Sequence, residues 1–170
     1  MASGLLEESL RDLHANLKDG GQSELDQIDS IVPTLSQICL HEITEKDIDY
    51  CSSVLFDKEI GVTTFLQKIS KKNEYQGSNA KYGLLELLSD FIHKVGKKAL
   101  PYLVEIKEAS LSNYMTDRFT KIKSSALPVL IKVLELSVGS NMGEDLKIQK
   151  FIEKFFMELT KASKLTATGK

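Results

Sequence analysis

Tryptophan is absent from this 170-residue sequence, and proline (3), cysteine (2) and histidine (3) are scarce. Two cysteines cannot build the disulfide framework of a small secreted domain. Cys39 and Cys51 stand among apolar residues at helical spacing, the pattern of buried free thiols in a reducing compartment. No apolar run approaches the roughly 20 residues that cross a bilayer. Met1-Ala2-Ser3-Gly4 is followed by Glu7 and Glu8, without the basic start and apolar run of a signal peptide. With no Asn-x-Ser/Thr acceptor either, the expected compartment is cytosol or nucleus.

Catalytic signatures are missing as well. There is no G-x-x-x-x-G-K, no G-x-G-x-x-G, no kinase H-R-D or D-F-G element and no serine in a nucleophile elbow. His14, His41 and His93 are scattered. Cys39, His41 and Cys51 could supply three metal ligands, but no fourth stands at a plausible spacing, and structural zinc takes four. No metal, cofactor or catalytic residue is expected. The carboxylate pairs Glu7-Glu8 and Asp47/Asp49 fall on hydrophilic faces and suit solvation better than acid–base work.

What is present is helical periodicity. The composition, 42% hydrophobic and 27% charged, supports the core of one domain over residues 1–170. Leu6, Leu10, Leu13 and Leu17 form a first stripe, ended by Gly20-Gly21. Ser23 caps a second helix carrying Leu25, Ile28, Val32, Leu35 and Cys39, which Pro33 should kink or split. Thr44-Glu45-Lys46-Asp47 resembles a capping box ahead of Ile48, Cys51 and Leu55. Val62, Phe65, Leu66 and Ile69 follow Gly61, and residues 71–79 read as a loop. The widest apolar face runs from Tyr82 to Val95, with Gly96 as its stop. Pro101 opens a further helix, and Asp117 suits the N-cap of the next, which carries Phe119, Ile122, Ala126, Val129, Leu130, Val133 and Leu134. Asn141 and Glu144 offer another box before Leu146, Ile148, Ile152, Phe155, Phe156 and Leu159. The tail from 160 to 170 turns polar and should fray.

About eight helices with short links predict an all-α, irregular HEAT/armadillo-like solenoid. Ala99-Leu100-Pro101-Tyr102-Leu103 echoes Ala126-Leu127-Pro128-Val129-Leu130, and residues 101–138 span 38 positions, near the HEAT period of about 40.

Charge is segregated along the chain. Residues 1–60 hold 4 Lys+Arg against 13 Asp+Glu, and residues 61–170 hold 18 against 11. Solvated helix faces account for such blocks, and so does a basic surface meeting an anion. Two basic groups stand out: Lys94, Lys97 and Lys98 around Gly96, and Arg118, Lys121 and Lys123 after the Tyr114 turn. Lysines at turns can contact phosphates without reading bases. No aromatic residues interleave them in a stacking pattern, which leaves single-strand recognition unsupported.

Several stretches resemble one family in register over roughly residues 50–160. They are Ser53-Val54-Leu55-Phe56 with Gly61 and Phe65, then Pro101-Tyr102-Leu103-Val104-Glu105-Ile106-Lys107. Tyr114, Asp117-Arg118, Ala126-Leu127, Leu130-Ile131-Lys132, Lys147-Ile148 and Lys154-Phe155-Phe156-Met157-Glu158-Leu159 continue them. Together they resemble the N-terminal HEAT-repeat segment of the DNA-dependent protein kinase catalytic subunits, in the phosphatidylinositol 3-kinase-related kinase family. The resemblance implies a piece of a nuclear serine/threonine kinase of double-strand break repair by non-homologous end joining. Its N-terminal arm would cradle a double-stranded DNA end beside the Ku heterodimer, with the kinase domain in the remainder of the parent chain. It also implies DNA contact at Arg118, Lys121 and Lys123, while Lys97 and Lys98 stay candidates from their place at a turn. The alternative from the residues alone is a free-standing HEAT or armadillo-like adaptor for a protein partner. The three phenylalanines Phe151, Phe155 and Phe156 favour the first, because a terminal helix that apolar expects cover.

Overall fold

The structure, a computed structural model, describes residues 2–17, 22–139 and 146–168. Gly20-Gly21, the Asn141–Glu144 box and the Ser23, Leu146 and Ile148 side chains lie outside what it describes. Among the described residues the chain forms eight α-helices and no strand: α1 (Ala2–Ala15), α2 (Gln22–Gln37), α3 (Ile48–Leu55), α4 (Val62–Ile69), α5 (Asn79–Val95), α6 (Leu103–Thr116), α7 (Thr120–Gly139) and α8 (Leu146–Thr168). The expected helical solenoid is what is found.

The helices stack in two layers. One layer sets α2, α5 and α7 side by side, and the other pairs α4 with α6. Helix α1 leans on α2, α3 and α4, and α6 and α7 form a tightly packed hairpin. Cross-links fix the directions. Val32 sits where a Cβ on Gly83 would meet its Cγ1 at 2.7 Å, so only glycine lets α2 and α5 approach this closely. Farther along the same pair, Lys94 Nζ donates to the carbonyls of Cys39 (3.0 Å) and Leu40 (3.2 Å). Lys121 meets Asn79 (2.8 Å) near the starts of α7 and α5, and Lys132 meets His93 (3.3 Å) farther down both. Helices α2, α5 and α7 are therefore parallel. In the other layer, Asn113 Nδ2 donates to Leu66 O (3.1 Å) and Thr116 Oγ1 to Ser70 O (2.7 Å), which makes α4 and α6 parallel too.

The sequence stripes form the core: Leu6, Leu10, Leu13, Ile28, Leu35, Cys39, Leu55, Phe65, Leu66, Leu84, Leu88, Phe91, Ile122, Ala126, Val133 and Phe155 are all fully buried. Several local expectations are corrected. Pro33 neither splits α2 nor lies against the core, because it is on the exposed face. The Asp29 carbonyl that loses its helical donor there faces water, which can replace the bond. A five-residue π-helical turn, Ile38–Glu42, extends α2 instead. Thr44 and Asp47 bond each other at 3.4 Å, and the Asp47 side chain makes no cap on α3. The stretch after α4 contains a 3₁₀ turn, Asn73–Tyr75, with Tyr75 buried. After α5 the chain tightens at once into a 3₁₀ helix, Gly96–Tyr102, that holds Pro101, and α6 begins two residues beyond that proline. Asp117 precedes α7 by three residues rather than capping it directly. Helix α8 runs through Thr168, and residues 169–170 of the polar tail lie outside the described residues.

Candidate nucleic-acid interface

Parallel packing brings the starts of α5 and α7 to one edge of the solenoid. Three of the five candidate cations gather there. Lys121 donates to Asn79 Oδ1 at 2.8 Å and its Nζ stands 4.8 Å above the Tyr82 ring. Lys123 donates to the Tyr114 carbonyl at 2.8 Å and lies 5.1 Å over the Tyr114 ring. Arg118 lies over Phe119 at 5.8 Å, and both are exposed. Aromatic rings thus do stand among these cations, with a cation over each. Such an interaction is worth roughly 0.5–1 kcal/mol at an exposed site. It holds a long side chain without consuming its charge.

The start of a helix is the positive end of its dipole, so Arg118 and Lys121 sit where the dipole repels them, whereas Lys123 reaches a carbonyl in the last turn of α6, a negative end. An anion at this edge relieves both. Below the edge the furrow between α5 and α7 opens into a cleft of about 370 Å³, lined by Tyr82, Glu86, Ser89, Asp90, Lys121 and Pro128 among others. Hydrogen bonding to Glu86 raises the Tyr82 phenol above its ordinary range. With Glu86 and Asp90 inside the furrow, a phosphate is favoured at its mouth and opposed within it.

Lys97 and Lys98 are not brought to this edge. They lie in the 3₁₀ helix at the far end of α5, whose 17 residues put the two groups about 25 Å apart at 1.5 Å per residue. Lys98 pairs with Asp49 at 3.1 Å, with side chains 49% and 79% exposed, a pair that solvent largely screens. Lys94, grouped with them in the sequence, caps the carbonyls at the end of α2.

The residues that sequence reasoning missed lie beneath the cationic edge. Lys81 and Asp117 form an ion pair at 2.9 Å with both side chains 0% exposed. Lys81 falls at the buried spacing of α5, in phase with Leu84, Leu88 and Val95. A lysine in an apolar stripe was the available signal.

No group of three His, Cys, Asp or Glu side chains among the described residues is placed to hold a metal. Burial, with the Cys51 sulfur as a lesser cause, pushes the Cys39 thiol up to about 12. Such a thiol is not a ready ligand.

Residues 49–170 match the family model described as DNA-PKcs, N-terminal. The chain belongs to this family. The DNA-PKcs N-terminal match includes all five candidate cations and begins within α3. Among curated proteins, the DNA-dependent protein kinase catalytic subunit of Xenopus laevis is 31% identical over 140 residues, covering 82% of this chain and 3% of that protein. The same-named protein of Canis lupus familiaris is 29% identical over 134 residues, 79% of this chain and 3% of its own length. That of Gallus gallus is 28% identical over 168 residues, 99% and 4%. The chain therefore spans only a few per cent of the curated DNA-PKcs relatives it matches. No solved structure matches it.

Proposed function

We propose that this segment is a scaffold arm of a DNA-dependent serine/threonine protein kinase that meets double-stranded DNA ends in the nucleus, in repair by non-homologous end joining. Ku and the remainder of the kinase are the proposed partners, and the solenoid is proposed to be of the HEAT type. One observation carries the reading: within the family match, three cations stand about the start of α7, beside the start of the parallel α5, a surface suited to phosphate. Arg118, Lys121 and Lys123 contact the sugar-phosphate backbone and read no bases. Lys97 and Lys98 give a second, separate contact at the opposite edge.

The test is the affinity of the 170-residue chain for a blunt fluorescent duplex across a salt series. Each neutralised phosphate contributes a slope of about −0.9 in log K against log salt. The variant Arg118→Glu/Lys121→Glu/Lys123→Glu is expected to weaken binding and flatten that slope, and Lys97→Glu/Lys98→Glu to flatten it independently. Unchanged affinity and slope in the first variant would overturn the assignment.

The acidic furrow favours a second reading, an adaptor whose protein partner lays a basic segment between α5 and α7. In that case Glu86→Lys/Asp90→Lys abolishes partner capture while duplex affinity stays negligible.

A further inference from the structure

The cations of the paired helix starts are only as well placed as the turn that carries them. Residues 117–119 join α6 to α7, and several bonds fix them from inside. Asp117 Oδ2 accepts from Gly77 N–H at 3.1 Å and from Lys81 Nζ at 2.9 Å, and its Oδ1 accepts from Phe119 N–H at 2.9 Å. Lys81 also donates to Ser70 O at 3.2 Å, the carbonyl that receives the Thr116 hydroxyl. Gln76 closes the outside of the turn, donating to Thr116 O and accepting from Arg118 N–H. Gly77 has φ +66°, and a Cβ there would meet the Phe119 ring at 2.7 Å. The ring therefore lies flat on a glycine that no other residue replaces without strain.

Burying two charges is costly, and an apolar pair of similar volume often holds a fold equally well. Apolar packing is non-directional, however. It cannot accept two backbone N–H groups and donate to a carbonyl at the same time. We infer that the buried Lys81–Asp117 pair is a positioning device for phosphate contact: it holds the start of α7 in register with the start of α5, so that Arg118, Lys121 and Lys123 face one anion surface. Neither residue touches the ligand. The inference rests on the proposed DNA contact and adds residues that act through the turn.

The variant Lys81→Met/Asp117→Leu keeps apolar volume and removes the directional bonds. In the 170-residue chain its helicity, followed by far-ultraviolet circular dichroism, is expected to stay unchanged. Its salt slope for a blunt duplex is expected to become shallower by about 0.9 for each phosphate left without its cation. Gly77→Ala, which displaces Phe119 without touching a charge, is expected to flatten the slope in the same direction and serves if the double variant does not fold. The charge-reversed Arg118→Glu/Lys121→Glu/Lys123→Glu protein is the reference. A flattened slope in the reference beside a full wild-type slope in both positioning variants would overturn this inference alone. A wild-type slope in the reference would overturn the DNA reading and this inference with it.

Discussion

Lys81 and Asp117 are legible only in part. Lys81 sits in the phase of an apolar stripe, which marks it as unusual, but its partner lies 36 positions away. Nothing local to Asp117 separates a buried carboxylate from a surface cap. His14 poses the same difficulty. It stacks edge-on to Phe65 at 5.4 Å, its Nε2 reaches Gly61 O at 3.1 Å, and Lys68 approaches its Nδ1 at 3.3 Å. Burial, seconded among the lowering causes by the Lys68 charge, depresses its pKa below the ordinary 6.5. A depressed folded-state value means the unfolded chain binds the proton first. Stability is then full above pH 6.5 and falls as the pH drops below it, through the folded-state value. His14→Gln is expected to flatten that fall in urea denaturation run between pH 7 and pH 5. A pH dependence equal to wild type would place the acid sensitivity elsewhere.

At the scale of elements, helix identity followed from periodicity and most helix ends did not. Prolines mislead where solvent or a tighter helix accommodates them. Pro33 rides the wet face of α2, and Pro101 sits inside a 3₁₀ segment rather than at the head of α6. Helix α8 was readable as apolar, but what holds it was not. Phe155 is fully buried against the core, and Lys107, itself buried, reaches Glu158 at 3.1 Å. Phe156 and Met157 remain exposed. Removing a buried phenylalanine costs about 3–5 kcal/mol. Phe155→Ala is therefore expected to free α8 while leaving the α4–α7 stack folded, seen as fast amide exchange confined to residues 146–168. Uniform loss of protection along the chain would mean that α8 is integral to the core instead.

For the whole molecule, the sign segregation along the sequence is only partly a surface property. Lys98 crosses to Asp49, Lys94 caps the end of α2, and Lys68 meets His14, so basic residues of the later chain knit onto the acidic first part. What remains for an outside anion is set by helix direction, which composition does not encode. Parallel stacking collects helix starts on one edge, and only Arg118, Lys121 and Lys123 of the five candidates belong to it. The distance between the two basic groups was likewise invisible, because it is the length of α5. Leu127, Ile131 and Val138 lie along one exposed apolar stripe of α7.

The buried pair also shapes how the molecule comes apart. Its two charges gain nothing from each other until 36 residues of chain have closed and water has left both. Such a pairing is expected to form late, after the barrier to folding has been crossed. Interactions absent from the transition state slow unfolding and leave refolding untouched. Lys81→Met strands a carboxylate, a change that typically costs about 3–5 kcal/mol, at the upper end of single-residue effects. That loss is expected almost entirely as faster unfolding in stopped-flow denaturant jumps, with the refolding limb superimposed on wild type. An equal share in the refolding rate would place the pair in the folding nucleus. On the expected outcome, the ion pair is a lock on the finished arm: it fixes how long the folded state lasts once formed, and has no hand in how quickly it forms.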